Sequence, residues 1–450
     1  MQIIINSKIS CENVPQDLMI ELKNRLSFQN PKWIENARLN YSNWNVPRIL
    51  NFYRTLDNGI LTLPRGYIRQ LISLCRRYDV KYEMIDARRV LDSVQFNFKG
   101  KLRPFQEIAC KDVLSHDFGT LSAPTGSGKT IMCLYVIAER RQPALIICHT
   151  RELQNQWINR IEQFLGIPEE QVGIIGGGQK KIGQRVTVSL IQSLFKCADE
   201  VSPYFGYVII DECHRTPSRT FTEAVTTFDS KYMLGLSATP WRRDGLSKLI
   251  YWHLGDQVHE IKSDDLVETG DILKAEVVTR ETDFQTSYNA SEEYSKMLSE
   301  LTQDPQRNAL IVQDVIKESR NGGGTCLVLS DRKAHCEAIQ ELLRRNGVRS
   351  SLLTGDISNK DRQEIVEKLN AGRVKVLVAT SQLLSEGFDS KRLSTLFMAS
   401  PIKFSGRVIQ TVGRILRPMQ DKEPKIFDYV DSKVPVLAAS AKARRQVYDR

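Results

Sequence analysis

The stretch LSAPTGSGKT, from Leu121 to Thr130, has residue types and spacing suited to phosphate binding. Its two glycines let the backbone turn N–H groups inward around an anion. Lys129 can reach the β- and γ-phosphates of a nucleotide, and the Thr130 hydroxyl can bind Mg²⁺. Ala123 stands where such loops usually have their first glycine. The predicted nucleotide ligands in the loop are Pro124, Thr125, Gly126, Ser127, Gly128, Lys129 and Thr130.

Two carboxylates follow the apolar run Val208–Ile210. Asp211 and Glu212 are adjacent at a predicted strand end, so their side chains should diverge. Asp211 suits coordination of a Mg²⁺–phosphate complex, and Glu212 suits positioning the attacking water and accepting its proton. A solvated pair at a strand end is the alternative, and the phosphate loop and buried strand disfavour it. The two sets of residues together predict hydrolysis of a nucleoside triphosphate.

Apolar strands that alternate with helices position these residues. The first set of strands is predicted over Ala144–Cys148, Val186–Leu190, Tyr207–Ile210 and Met233–Ser237, with helices over Ile131–Glu139 and Glu152–Phe164. The second set is predicted over Thr325–Leu329, Val348–Leu353, Val374–Ala379, Ser394–Met398 and Lys425–Tyr429, with helices over Gln306–Ser319, Lys333–Asn346 and Asp361–Leu369. Such alternation predicts an α/β fold with two tandem parallel sheets. The polar stretch Glu281–Asp304 is interpreted as a lid, an insertion or a connector.

The first 94 residues predict a small α+β domain. Its strands are predicted over Met1–Ile5, Ile49–Leu56, Ile60–Leu63 and Lys81–Ile85, and its helices over Val14–Leu26 and Tyr67–Tyr78. Aromatic and basic residues interleave here, which could form a nucleic-acid surface with stacking platforms. The alternative, that most of these aromatics are core residues, stays open, and we favour core or mixed roles for Trp33 and Trp44. The residues expected to contact phosphates are Arg65, Arg69, Arg76 and Arg77.

Composition and charge limit the partners. The chain has 450 residues, with 41% hydrophobic and 26% charged residues, which is typical of globular domains and allows about three of them. It lacks an apolar run of about 18 residues, so we expect no membrane span and no membrane partner, and it lacks a basic leader with an apolar core, so we expect no signal peptide. Nine scattered cysteines without a CxxC pair argue against a zinc site or a disulfide framework.

The positive charge is concentrated at both ends. The net charge is +10; residues 1–90 contain 14 Lys and Arg against 8 Asp and Glu, and residues 401–450 contain 11 against 5. This distribution favours nucleic acid over a membrane as the polyanionic partner. A generally basic solvated surface explains the charge equally well, so charge alone does not decide.

The run Asp211-Glu212-Cys213-His214 resembles the DExH box of the superfamily 2 helicases. Other motifs of that family occur along the chain in its usual order, namely His149-Thr150-Arg151-Glu152-Leu153, Ser237-Ala238-Thr239-Pro240, Ser385-Glu386-Gly387-Phe388-Asp389 and the QxxGRxxR pattern of Gln410–Arg417. The resemblance implies RecA-like domains that use ATP and Mg²⁺. The expected division is an N-terminal nucleic-acid-binding domain over 1–94, an ATP-binding domain over 95–258, a helicase C-terminal domain over 259–437, and a basic tail over 438–450.

The resemblance also implies roles for single positions. ATP would be bound by the loop residues together with Arg103, Gln106, Gly387 and Asp389, of which Gln106 would read the adenine. The catalytic set would be Lys129, Asp211, Glu212, Gln410, Arg414 and Arg417, with Thr130 and Asp211 on the metal. Nucleic acid would be contacted by Thr150, Arg151, Gln192, Ser237, Thr239, Thr380 and Ser381. Coupling of hydrolysis to movement would use His214, Ser237 and Thr239.

Arg414 and Arg417 share one stripe of a predicted helix and could stabilise charge on the γ-phosphate. For these two residues alone, a basic surface stripe would be the simpler interpretation. The resemblance implies that ATP binds between two domains, whose closure and reopening would drive translocation along a strand.

The sequence has DECH where DEAD-box RNA helicases have DEAD, and it is more similar to the XPB-like branch. That branch includes restriction-enzyme motor subunits and phage UvsW-type branch-migration helicases. The segment Tyr41–Arg48 resembles the N-terminal part of the UvsW-type helicases. We predict an ATP-dependent DNA helicase or translocase that acts as a monomer on forked or branched DNA in replication, recombination or repair. The expected location is the cytoplasm, that of the host if the protein is of phage origin. The alternatives are an RNA helicase, a restriction-type motor subunit and a non-catalytic nucleic-acid-binding protein.

Overall fold

The structure is a computed structural model. It describes residues 1–215, 219–238, 246–289, 292–321, 324–380, 390–401, 412–413, 415–416, 419 and 422–448. The chain divides into two compact units, one of residues 1–123 and 128–261, the other of residues 124–127 and 262–450. The finer domain boundaries given above stay predictions.

The first unit begins with a five-stranded sheet. Its elements are β1 (Gln2–Ile5), β2 (Lys8–Glu12), α1 (Gln16–Arg25), β3 (Ser27–Gln29), α2 (Pro31–Arg38), β4 (Ile49–Asn51), β5 (Arg54–Thr55), β6 (Leu61–Pro64), α3 (Ile68–Arg77) and β7 (Glu83–Asp86). The strand order is β5-β6-β2-β1-β7, and β3 and β4 form a separate antiparallel pair. Both predicted helices are confirmed as α1 and α3, whereas β2 and α2 were not predicted. Apolar side chains of α1 and α3 face the sheet, so Leu18, Leu22 and Leu71 are fully buried.

The N-terminal sheet packs on the helix Ser247–Leu254, which lies between two strands of the larger sheet of this unit. Trp252 lies in the same apolar cluster as Ile3 and Leu71. The centre of its ring is 5.4 Å from the centre of the Phe52 ring and 6.1 Å from the centre of the Tyr67 ring. Gly66 approaches the backbone of this helix so closely that a Cβ would lie 2.2 Å from the carbonyl oxygen of Tyr251. The N-terminal residues are therefore joined to the rest of the unit by a packed apolar contact.

The larger sheet of the first unit has eight strands. The elements are α4 (Pro104–Leu114), β8 (Phe118–Ser122), α5 (Lys129–Arg140), β9 (Ala144–Cys148), α6 (Arg151–Leu165), β10 (Gly173–Gly176), β11 (Gln179–Lys181), β12 (Val186–Leu190), α7 (Ile191–Leu194), α8 (Ala198–Val201), β13 (Tyr207–Ile210), α9 (Arg219–Val225), β14 (Tyr232–Ser237), α10 (Ser247–Leu254) and β15 (Gln257–Glu260). The order is β11-β10-β12-β9-β13-β14-β8-β15, and only the β10–β11 pair is antiparallel. Every residue of β9 and β13 is buried, as expected for parallel strands covered on both faces.

The register of this sheet brings three strand ends together. Ser122 of β8 pairs with Ser237 of β14, and Ile210 of β13 pairs with Gly235. The strands are parallel, so the segments that follow all three leave from one edge of the sheet. This edge is where ligands bind in open α/β sheets.

The second unit contains a six-stranded sheet. Its elements are α11 (Ser263–Glu268), β16 (Glu276–Glu281), α12 (Tyr294–Gln303), α13 (Pro305–Asn321), β17 (Thr325–Ser330), α14 (Lys333–Arg345), β18 (Ser351–Leu353), α15 (Asn359–Asn370), β19 (Val376–Thr380), β20 (Leu393–Met398), β21 (Lys425–Val430) and α16 (Pro435–Tyr448). The order is β16-β21-β20-β17-β19-β18, with every pair parallel. The α/β class with two parallel sheets is thus confirmed.

Two features of this unit were not foreseen. The polar stretch before α13 contains a helix, α12, which buries Met297 and Leu301. A fully buried ion pair joins α13 to the segment after β21, with 2.8 Å between Arg307 Nε and Asp431 Oδ1. Among the described helices of both units, none has the length and apolarity to cross a membrane.

Candidate active site

The phosphate loop connects β8 to α5. Gly126 has φ +93° and Gly128 has φ +86°, values in the left-handed region that glycine adopts without strain. α5 begins at Lys129, so the positive end of its dipole is directed at the loop. Lys129 Nζ donates a 2.8 Å hydrogen bond to the carbonyl oxygen of Ala123. The loop therefore has the local form predicted from its sequence.

Gln106 lies beside this loop. Its side chain is buried in the first turn of α4, and its Oε1 accepts a 3.0 Å hydrogen bond from the backbone N–H of Arg103. A Cβ added at Gly128 would lie 2.5 Å from Gln106 Nε2. Gly128 thus leaves room for the side chain of Gln106, which is predicted to read the nucleotide base. Arg103, also predicted to bind the nucleotide, is exposed.

Asp211 is held in place immediately after β13. Its Oδ2 accepts a 2.9 Å hydrogen bond from Trp157 Nε1, and its Oδ1 accepts one of 2.9 Å from the N–H of Glu212. Burial, and after it the Glu212 carboxylate, raise the pKa of Asp211 to about 6, although the Trp157 hydrogen bond and the Lys129 charge act in the opposite direction. A buried carboxylate in such surroundings is stabilised by added positive charge.

Glu212 has φ +50°, which is uncommon for a residue with a side chain and is typical of strained functional positions. Its Oε2 is 3.2 Å from Nδ1 of His214, and the same nitrogen is 3.2 Å from Ser237 Oγ. The carbonyl of Ser237 accepts a 2.9 Å hydrogen bond from the N–H of Ala123. A continuous chain of contacts therefore links Glu212 to the start of the phosphate loop.

The donors at this edge fit a nucleotide with a bound magnesium ion. Thr130 is in the first turn of α5, and Asp211 supplies a carboxylate, the hard oxygen ligand that Mg²⁺ prefers. The space that a Cβ at Gly128 would fill suits a bound nucleotide. The raised pKa of Asp211 suits a nearby magnesium ion, whose positive charge would stabilise the ionised carboxylate. The loop, the carboxylates and the parallel sheet define the class of P-loop nucleoside triphosphatases.

The residues predicted to contact nucleic acid have differing surroundings. Thr150 is the N-cap of α6, and its hydroxyl accepts from the N–H of Leu153 at 3.4 Å. Arg151 is exposed and lies against Gly177, and Gln192 is exposed on α7. Thr380 is half-buried at the end of β19. These positions keep their predicted role.

Two of the predicted contacts are contradicted. Ser237 is only 1% exposed, so its hydroxyl faces His214 and not a nucleic acid. Arg65 is buried, and its guanidinium donates a 2.8 Å hydrogen bond to the carbonyl of Ser230 and stacks over the ring of Phe118 at 5.5 Å. Arg65 therefore ties the N-terminal sheet to the larger sheet and does not contact phosphate.

The other three arginines of this group are exposed on α3; they are Arg69, Arg76 and Arg77. Trp44, interpreted as core or mixed, is 91% exposed, so a core role is wrong. Trp33 is half-buried, as a mixed role requires.

Several predicted site residues lie outside the described residues. They are Thr239, Ser381, Gly387, Asp389, Gln410, Arg414 and Arg417. Their roles stay predictions.

One functional residue was missed from the sequence. Trp157 was given no role in the sequence analysis, yet its indole N–H holds Asp211. An indole N–H on a buried helical position needs an acceptor, and that was the available signal. The identity of the acceptor depends on how α6 packs next to β13, which the sequence does not state.

Two family descriptions match this chain. Residues 99–242 match "Type III restriction enzyme, res subunit", and residues 307–419 match "Helicase conserved C-terminal domain". The first match contains the phosphate loop and both carboxylates. The second contains the QxxGRxxR pattern.

Similar proteins are helicases and translocases. One described as probable helicase D10 of Escherichia phage T5 is 28% identical over 78% of this chain and 76% of its own. The DNA 3'-5' translocase XPB2 of Sulfurisphaera tokodaii is 27% identical over 79% and 88%, respectively. The ATP-dependent DNA helicase uvsW of Enterobacteria phage T4 is 23% identical over 94% and 88%. The chain belongs to the superfamily 2 helicases, and it is an ATP-dependent enzyme of that family that works on nucleic acid.

The fold has a match among solved structures. Dbp5 of S. cerevisiae bound to RNA and ADP BeF3 gives a TM-score of 0.56 at 15% identity, over 77% of this chain and 88% of that one. This likeness concerns the fold, and it agrees with two RecA-like parallel-sheet domains in tandem.

Proposed function

We propose that this protein is an ATP-dependent DNA helicase or translocase that acts on branched DNA, remodelling forks or migrating branches in replication, recombination or repair. The observation that carries the proposal is the extent of its similarity to the T4 helicase. The alignment covers 94% of this chain, so it includes most of the N-terminal residues as well as both sheets. On this proposal the protein works as a monomer, in the cytoplasm of a phage host.

The chain's own residues supply the chemistry of hydrolysis. Lys129 binds the β- and γ-phosphates, and the N–H groups around Gly126 and Gly128 hold their oxygens. Glu212 orients the attacking water and accepts its proton, since the turn at φ +50° separates its side chain from that of Asp211. Gln106 selects ATP by binding the adenine edge.

Thr130 and Asp211 would hold the magnesium ion. When bound, it supplies positive charge that neutralises the phosphate oxygens and the developing negative charge. Asp211 must be ionised for this role, and the hydrogen bond from Trp157 and the charge of Lys129 both favour its ionised form. The predicted role of Arg414 and Arg417 at the γ-phosphate is retained.

Hydrolysis would be coupled to movement through His214. Its imidazole lies 3.2 Å from both Glu212 Oε2 and Ser237 Oγ, so a change at the γ-phosphate can be passed to the end of β14. Contact with DNA would come from exposed cations, Arg151 after β9 and Arg69, Arg76 and Arg77 on α3. These guanidiniums can bind phosphates without reading sequence.

The decisive experiment measures ATPase and unwinding with single-stranded, duplex, forked and four-way DNA and matched RNA. We expect ATPase stimulation by DNA, strongest with the forked and four-way substrates. The variants Lys129→Ala and Glu212→Gln should lose turnover, and Lys180→Ala, which removes an exposed lysine of β11, should not. Normal ATP hydrolysis by Lys129→Ala would refute the proposed site.

An RNA helicase is the second candidate, because the solved structure of similar fold is bound to RNA. Stronger stimulation by RNA than by DNA of the same sequence would favour it. A motor subunit of a restriction-type complex is the third, favoured by the family match over residues 99–242. Turnover that required an added nuclease subunit would support that assignment.

A further inference from the structure

The segment between β3 and β4 presents aromatic side chains to solvent. It comprises α2 and the ten residues that follow it, Leu39–Arg48. We name these ten residues the Trp44 loop. Trp44 is 91% exposed and Tyr41 is 65% exposed. No residue of α2 is buried, and Ile34 on that helix is 47% exposed. This surface is therefore much more apolar than a solvated loop needs to be.

The Trp44 loop is held in a defined conformation. Asn43 Nδ2 donates a 3.1 Å hydrogen bond to the carbonyl of Trp33, and Asn30 Nδ2 donates one of 3.0 Å to that of Pro47. The N–H of Tyr41 donates to the carbonyl of Asn36 at 2.8 Å. These bonds fix both ends and the middle of the loop to α2 and to Asn30, the N-cap of that helix. The exposure of its aromatics is therefore built into the fold.

Positive charge surrounds the aromatics. Residues 30–49 contain three exposed cations, Lys32, Arg38 and Arg48, and one carboxylate, Glu35. The Arg48 guanidinium lies 5.4 Å from the centre of the Trp33 ring, and this cation–π contact holds the guanidinium at this surface. A surface that combines exposed aromatic faces with cations is complementary to a polyanion that carries flat apolar groups.

We propose that Trp44 and Tyr41 form a stacking platform for the bases of single-stranded nucleic acid, with Lys32, Arg38 and Arg48 contacting its phosphates. Single-stranded nucleic acid is favoured over a protein partner because the aromatics stand among cations, and over duplex because paired bases do not expose their faces. The inference rests on the proposed function in one respect, that a helicase acting on forks meets unpaired strands.

The test uses the full-length protein and a fluorescein-labelled oligothymidylate, with binding followed by anisotropy. Stacking on one aromatic side chain strengthens binding considerably, so Trp44→Ala should raise the Kd about tenfold, and Tyr41→Ala should raise it in the same direction. Trp44→Phe, which keeps an aromatic face, should bind close to wild type. Tyr204→Ala is the matched control, because Tyr204 is an aromatic side chain of the same unit that is 55% exposed.

The outcomes separate this inference from the proposed function. If forked DNA stimulates the wild-type ATPase but Trp44→Ala binds oligothymidylate as wild type does, the platform is refuted and the proposed function is unaffected. If neither DNA nor RNA stimulates the ATPase, the proposed function fails, and the oligothymidylate Kd still tests the platform. A third outcome is that Trp44→Ala leaves oligonucleotide binding unchanged but dissociates a dimer formed by the wild-type protein. This result would assign the surface to contact with a second copy of the chain and overturn the proposal.

Discussion

Trp157 Nε1 and Asp211 Oδ2 are 2.9 Å apart and form a buried hydrogen bond. Trp157 belongs to α6, whereas Asp211 directly follows β13, so the bond joins two elements separated by 54 positions in the chain. Asp211 is the proposed magnesium ligand, and its second oxygen is held by the N–H of Glu212. Both carboxylate oxygens are thus oriented by the protein before a ligand binds, a form of preorganisation that active sites require.

Trp157→Phe should weaken the response to magnesium. The change keeps an aromatic ring but removes the N–H, and a hydrogen bond to a charged group contributes about 1.5–3 kcal/mol. We expect the Mg²⁺ concentration for half-maximal ATPase to rise about tenfold. Because the Trp157 bond lowers the pKa of Asp211, its loss should also move the acid limb of the ATPase pH profile to higher pH.

Trp252→Phe is the control for Trp157→Phe, since it removes the same volume from another buried site of the first unit. It should lower stability without changing the Mg²⁺ requirement. Equal Mg²⁺ activation curves for wild type and Trp157→Phe would show that this hydrogen bond does not position the metal ligand.

Gly128→Ala should abolish nucleotide binding. At Gly128, φ is +86° and a Cβ would come within 2.5 Å of Gln106 Nε2. The backbone of an alanine here would be strained, and its methyl group would clash with the side chain proposed to read adenine. Gly178→Ala is a well-matched control, because Gly178 has the same φ of +86° but has nothing within 4 Å of its added Cβ. Binding of a fluorescent ATP analogue should be lost in the first variant and kept in the second. Similar losses in both variants would assign the effect to backbone strain alone.

The sequence was a good guide where a local pattern determines the structure. β9 and β13 have the predicted bounds, because continuous apolar runs between turn residues leave few alternatives. β12, in which apolar residues alternate with Thr187 and Ser189, also has the predicted bounds. The loop from Pro124 to Gly128 and the carboxylates after β13 follow from spacing in the same way. β15 was missed, since Gln257–Glu260 is a polar edge strand without an apolar run.

Side-chain surroundings were less predictable, because partners distant in sequence determine them. Arg65 resembles a surface arginine until the carbonyl of Ser230, 165 positions later, accepts its hydrogen bond. Trp44 was interpreted as core or mixed, yet hydrogen bonds of neighbouring asparagines hold its loop in solvent. In both cases the residue type suggested one environment and the tertiary contacts produced the other.

Arg65→Ala should destabilise the first unit without a direct effect on nucleic-acid contacts. Burial lowers the pKa of Arg65 to about 10, so the guanidinium is charged at neutral pH and depends on its acceptors. Removing it leaves the carbonyl of Ser230 without this donor and opens a cavity beside Phe118, which should cost about 3 kcal/mol. Thermal and urea unfolding measure the loss.

The exposed Arg69 of the neighbouring helix gives the comparison for Arg65. Arg69→Ala should change stability by less than about 0.5 kcal/mol, as surface substitutions usually do, but reduce the salt dependence of DNA binding. Should Arg65→Ala unfold like wild type and yet bind DNA weakly, the assignment of Arg65 as a structural residue would be wrong.

The second unit should lose stability in acid because of His335. Its Nδ1 is 2.9 Å from Ser330 Oγ and its Nε2 is 2.8 Å from Asn308 Oδ1. Burial, and after it the charge of Arg307, lower the pKa of His335 to about 3, whereas an unfolded histidine titrates near 6.5. Between these values the unfolded chain binds more protons than the folded one, so stability falls as pH decreases from about 6.5 towards 3. At pH 5 the free energy of unfolding should be about 2 kcal/mol lower than at pH 7.

His335→Gln should be less stable at pH 7 but lose less stability on acidification. His116→Gln, in the first unit, should keep the wild-type dependence on pH. Urea unfolding at pH 7 and pH 5 compares the three proteins, and an unchanged pH dependence in His335→Gln would exclude His335 as the cause.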